Sequence, residues 1–124
     1  MNYLVQSSIM PQEGHYYIEK ITKEEFIQFI RDLHSVNQIQ SAIQYENTCK
    51  YIQKITGIRV KRSRKSVRLN NFSIMIICKL SYRPGTVQEK KKYKTKSEIT
   101  DKDVSFYLCR YSYPINTKKT GDIK

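Results

Sequence analysis

The chain has 124 residues, the size of one domain that can bury its own core and too short for two. Its 23 Lys and Arg against 11 Asp and Glu leave a formal charge of +12, a field that favours anionic partners such as nucleic acid, nucleotides or an acidic protein face. No run approaches the roughly 18 apolar residues of a membrane span, and residues 1–10 lack the basic and apolar regions of a secretory leader, so an intracellular protein is expected.

Asn2 to Ile9 opens with β-formers and ends before Pro11 and Gly14, and Tyr16 to Ile21 reads as a second strand; the two are expected to form a hairpin. Thr22-x-x-Glu25 is a capping box, and Phe26, Phe29, Ile30 and Leu33 follow at helical spacing, so a helix with one core-facing stripe begins at Thr22. A second helical region is expected from about Asn37 to Thr56. It is broken near Gln44 and Tyr45, where the apolar spacing restarts, and is stopped by Gly57.

From Ile58 the period changes to two. Ile58 and Val60, then Val67 and Leu69, alternate with polar residues and predict two half-exposed strands around a basic turn. Phe72 to Tyr82 is apolar on both alternating sets through Ile77 and Cys78, as a central strand covered on both faces requires. Arg83-Pro84-Gly85 ends it, a Lys-rich loop follows, and Thr95-x-x-Glu98 offers one capped helical turn. Val104 to Tyr113 is a last alternating strand with Tyr107, Tyr111 and Tyr113 on one face. The expectation is a single α/β domain over residues 1–113, α+β-like, with a mixed sheet of five or six strands flanked by helices. Residues 114–124, with little left to bury, are expected to form a flexible tail.

Few groups in this sequence offer chemistry. His15 and His34 sit in no metal-ligand or nucleophile pattern, and His34 suits the end of a helix. Cys49, Cys78 and Cys109 are widely spaced among apolar residues and read as buried free thiols. The four glycines stand apart, so no glycine-rich phosphate cradle exists, and no paired carboxylates face one pocket; neither cofactor nor metal is expected. The strong local feature is Arg59, Lys61, Arg62, Arg64, Lys65 and Arg68, with Lys90, Lys91 and Lys92 as a second cluster. Such charge serves solubility equally well. As a contact surface for carboxylates or phosphates, the arginine-rich first cluster is the better candidate, and the ten tyrosines of the chain suit an interface.

With these elements in place, Ile39 to Tyr113 resembles a small α/β family encoded by archaeal viruses that includes ring-nuclease anti-CRISPR proteins. The resemblance rests on Ile39 to Thr48 (IQSAIQYENT), Gly57-Ile58-x-Val60, Arg64, Val67, Leu69 and Arg83-Pro84-Gly85. It implies a homodimer in the host cytoplasm. Catalytic members cleave cyclic tetra-adenylate in a pocket spanning both subunits, while other members of the fold bind a CRISPR effector subunit. The catalytic histidine of the family belongs to a pattern like Ile-Gly-His-Glu-Ser-Thr, and this chain reads Ile43-Gln44-Tyr45-Glu46-Asn47-Thr48. A phenol with a reference pKa of about 10 cannot replace an imidazole titrating at about 6.5 as a general acid. The Asn-Ala-Phe-Ser-like run is replaced by Gln6-Ser7-Ser8-Ile9, and the arginine–glutamate pair is reduced to Arg83 before Pro84 and Gly85.

The resemblance therefore implies a non-catalytic anti-CRISPR-like protein that binds an acidic effector subunit through Arg59 to Arg68. A degenerate ligand pocket remains at Gln6, Ser7, Tyr45 and Arg83. Two rival readings stand beside it: a cyclic oligoadenylate binder or slow ring nuclease, and a viral DNA- or RNA-binding protein using the basic hairpin.

Overall fold

A computed structural model describes residues 2–6, 13–64, 66–71, 73–81 and 99–112. The expected loop and helical turn between Arg83 and Glu98, Tyr113 and the 114–124 tail lie outside these residues, as do Ser7, Lys65 and Arg83.

Five strands form one sheet in the order β2-β5-β4-β1-β3: β1 (Asn2–Val5), β2 (His15–Ile21), β3 (Ile39–Ser41), β4 (Ile74–Leu80) and β5 (Val104–Ser112). The sheet is mixed, because β1 runs parallel to both β3 and β4 whereas β5 runs antiparallel to β4 and β2. β4 is the central strand, as its two-sided apolar pattern requires. Ile76 and Cys78 enter the core on one face, and Met75 and Ile77 enter the core on the other.

The expected β1–β2 hairpin does not form. The two strands are separated by β4 and β5 and point the same way. Burial explains the split: Tyr3, Leu4 and Val5 are apolar on both faces and suit the interior of the sheet, whereas Tyr17 and Ile18 stay exposed and suit its edge.

Helix α1 (Lys23–Ser35) starts as the sequence predicts. Glu25 N–H donates to Thr22 Oγ1 at 3.0 Å, and Thr22 N–H donates to Glu25 Oε1 at 2.8 Å. Its stripe places Phe26 and Ile30 against the sheet, with the Phe26 and Phe106 rings 4.5 Å apart. Asn37, at φ 55°, turns the chain, and the next residues pair with β1 as the short β3 instead of opening a helix. Three residues are too few to show a period, so the sequence alone reads this stretch as helical.

Helix α2 (Glu46–Thr56) packs on the same face, burying Cys49, Tyr51 and Ile52. It stops at Gly57, whose φ of 77° is left-handed and whose N–H reaches Gln53 O. Arg31 of α1 donates to Thr56 O at 3.1 Å, so one guanidinium ties the end of α2 to its neighbour.

The other face carries Tyr3, Val5, Met75, Ile77, Cys109 and Tyr111, with Leu69 and Val67 packed on it. Tyr111, one of the tyrosines expected to share a face of the last strand, is 4% exposed and donates its hydroxyl hydrogen to Glu13 O. No described helix is long and apolar enough to cross a membrane. All three cysteines are buried free thiols.

Candidate functional site

β1 and β3 are neighbouring parallel strands, so their carboxyl ends open on the same side of the sheet, where open α/β sheets hold their ligands. Gln6 follows β1 and Tyr45 is the N-cap of α2. The two meet: Tyr45 N–H donates to Gln6 Oε1 at 3.3 Å. Two members of the predicted pocket are thus in contact, while Ser7 and Arg83 lie outside the described residues.

The N-terminus of α2 is built unlike that of α1. Tyr45 supplies no side-chain hydrogen bond to the helix. An end capped by neither hydroxyl nor carboxylate keeps backbone N–H groups available to an anion. In the first turn Thr48 is fully buried, and among the described residues its Oγ1 is the buried side-chain polar atom without a hydrogen-bond partner. Sequence reasoning did not find it, because Thr48 falls off the apolar spacing and no composition signal marks an orphan hydroxyl.

The predicted basic hairpin is corrected. Residues 58–64 and 66–71 contain no strand, although the burial alternates as predicted. Ile58 and Val60 join the helix-side core, while Val67 and Leu69 join the core of the opposite face. The segment therefore passes from one face of the sheet to the other. Its backbone bonds elsewhere: Ser63 N–H donates to Ile43 O at 2.8 Å. Alternate residues are buried here by two separate cores, which mimics the pattern of a half-buried strand without a ladder.

That bond ties the basic segment to the residues that lead into α2. Ile43 lies two residues before Tyr45, so Arg62 and Arg64 flank an anchor beside the start of α2. Arg59, Lys61, Arg62, Arg64 and Arg68 are all exposed. The field of Arg62 reaches Cys49 in the first turns of α2.

Burial raises the Cys49 thiol, Glu46 raises it further and Arg62 opposes both, so the protonated form is favoured. Cys78 is pushed up to about 12 by burial. His15 lies on the opposite edge strand β2, and His34 is exposed at the last turn of α1. Among the described residues no group of three His, Cys, Asp or Glu is placed to hold a metal ion. What the arrangement offers an anion is a set of hydrogen-bond donors and positive charge.

An open mixed sheet of five strands with both helices on one face defines a domain of the α/β class. The family model for STIV B116-like proteins matches residues 2–108, and the chain belongs to that family. Its structure is similar to B116 of Sulfolobus turreted icosahedral virus, with a TM-score of 0.69 and 19% identity over 88% of this chain and 97% of that one. It is also 33% identical over 64 residues to the uncharacterized protein YddF of Bacillus subtilis (strain 168). That match covers 52% of this chain and 57% of the relative, little more than half its length.

Proposed function

We propose that this chain is a non-catalytic, viral anti-CRISPR-like protein. It inhibits host CRISPR interference in the host cytoplasm by binding an acidic subunit of the effector complex, and it acts as a homodimer. The observation that carries the reading is the Ser63–Ile43 tether, which sets Arg62 and Arg64 beside Tyr45 as one exposed cationic surface. Tyr45 supports the non-catalytic part: it is 41% exposed at the helix start, where the resemblance expects histidine.

A second reading rests on a different observation. The start of α2, where Tyr45 supplies no side-chain cap, favours a phosphate, and hence a cyclic oligoadenylate that is held without rapid turnover. Two assays test the proposal together. Capture from host lysate with and without nuclease should return an effector subunit in both arms, and cyclic tetra-adenylate should not be cleaved above background. Rapid linearisation of the ring that is lost in Tyr45→Phe overturns the non-catalytic reading. A partner captured only without nuclease replaces it with nucleic-acid binding.

A further inference from the structure

β3 is an outer strand of the sheet, and among the described residues its one strand partner is β1. The two pair through alternate residues: Asn2 N–H donates to Gln38 O at 3.2 Å and Ala42 N–H donates to Leu4 O at 2.9 Å, with Asn2 opposite Ile39 and Leu4 opposite Ser41. In a parallel ladder of this register Gln38, Gln40 and Ala42 turn their backbone groups toward β1, so Ile39 and Ser41 turn theirs outward. Ile43 continues the outward set, and its carbonyl accepts from Ser63 N–H at 2.8 Å. The edge thus presents the N–H and C=O of Ile39 and Ser41 to a further strand, and neither residue is fully buried.

The bond to Ser63 decides what such a strand would meet. Arg62 and Arg64 flank Ser63 and are exposed, as are Arg59, Lys61 and Arg68 of the same segment. No Asp or Glu occurs from Asn47 to Gln88, so the sequence supplies no acid close by to neutralise this charge. Resting on the acidic-partner reading above, we propose that the partner enters as an extended segment that pairs with β3 as an added strand, with its carboxylates on Arg62 and Arg64 at the carboxyl end of β3. Main-chain bonds set the register of that segment. An edge of three residues offers few of them, so the guanidinium groups do most of the selecting.

The probe is a short capped peptide of alternating threonine and valine that carries two glutamates, made with the glutamates at its amino end or at its carboxyl end. Titrated into the full chain, one of these peptides should slow amide exchange at Ile39 and Ser41. Ser41→Pro removes an outward N–H at an edge position that tolerates proline, whereas Ser41→Ala loses the same hydroxyl and keeps the N–H. The proline variant should bind about fivefold more weakly than the alanine variant, the loss of one hydrogen bond. Arg62→Glu/Arg64→Glu should lose the peptide, and so should the wild type when glutamines replace the glutamates. Equal binding by the two Ser41 variants, with exchange at Ile39 and Ser41 unchanged, overturns strand pairing and leaves the acidic surface standing. If Ser41→Pro does not fold, the exchange pattern of the wild type decides the same point. Binding that is indifferent to Arg62→Glu/Arg64→Glu overturns the choice of an acidic occupant, and no binding of either peptide overturns the added strand. Capture of an effector subunit by the wild type is a separate readout, on which only the function reading depends.

Discussion

The amide of Ser63 donates to the carbonyl oxygen of Ile43 across 2.8 Å, joining an irregular basic segment to the approach of helix α2. Those residues are 20 positions apart in sequence, and the bond brings the basic segment to the residues that lead into the helix. Arg62 and Arg64, on either side of Ser63, are exposed there. Tyr45, two residues after Ile43, starts the helix and holds Gln6 through its backbone.

Thr48 gives the sharpest separation of ligand from scaffold. Its hydroxyl is buried and, among the described residues, has no hydrogen-bond partner, so Thr48→Val removes a desolvated polar group and keeps the shape. Stability should be unchanged or rise by about 1 kcal/mol, measured as a urea midpoint at constant slope. A hydroxyl this buried reaches no ligand at the helix start, so calorimetry with cyclic tetra-adenylate should read the same affinity in the variant and the wild type.

Gly14 stands at the entrance to β2 with φ 145°, and a Cβ there would overlap the ring of Tyr111. The ring cannot swing away freely, since its hydroxyl is bonded to Glu13 O and it packs against Tyr16 at 5.2 Å between centroids. Gly14→Ala should therefore cost about 1–3 kcal/mol from backbone strain and the overlap together. Tyr111→Phe keeps the packing and should cost only about 1 kcal/mol, from the lost hydrogen bond. Equal losses in the two variants would contradict this account of the position.

Asp101 ties both helices to the start of β5. It accepts from Lys23 Nζ at 2.9 Å and from Tyr51 Oη at 2.7 Å, and these bonds, the Lys23 one foremost, hold its carboxyl below the ordinary 3.8. Its contribution to stability is thus fully present above the unfolded value of 3.8 and is lost as the pH falls through the lower folded one. Burial, and then the bond to Asp101, raise Tyr51 far above 10.0, so stability also declines once the pH exceeds that value and only the unfolded phenol ionises. Asp101→Asn should be less stable than the wild type near neutrality, and the gap should close in strong acid. A gap independent of pH would assign the loss to packing.

How far the sequence carried the fold depends on whether a signal was local. The Thr22–Glu25 box, the Phe26–Ile30 stripe, Gly57 and the two-sided pattern of β4 are set by near neighbours, and each predicted element is present. Pairing is not local. Nothing between Val5 and His15 states that β1 will lie between β3 and β4 while β2 crosses to the far edge. Alternation misled at 58–69, because two cores on opposite faces bury alternate residues as a half-buried strand would. Of the predicted site, Gln6 and Tyr45 came from family resemblance; Thr48 closes the same resembling run, but that its hydroxyl would be buried without a partner among the described residues depends on tertiary packing that the run does not show.

The central claim is that the Arg62–Arg64 surface holds an acidic protein, and the binding of Arg62→Glu/Arg64→Glu to a captured effector subunit, titrated across salt, tests it most directly. A protein partner held by a few arginine and tyrosine contacts should lose capture in the double variant, while fold is retained and the wild-type affinity falls only modestly with salt. Unchanged capture by the double variant, with loss only of DNA or RNA binding along a steep log-log salt dependence, would contradict the claim and make the cationic segment a phosphate track.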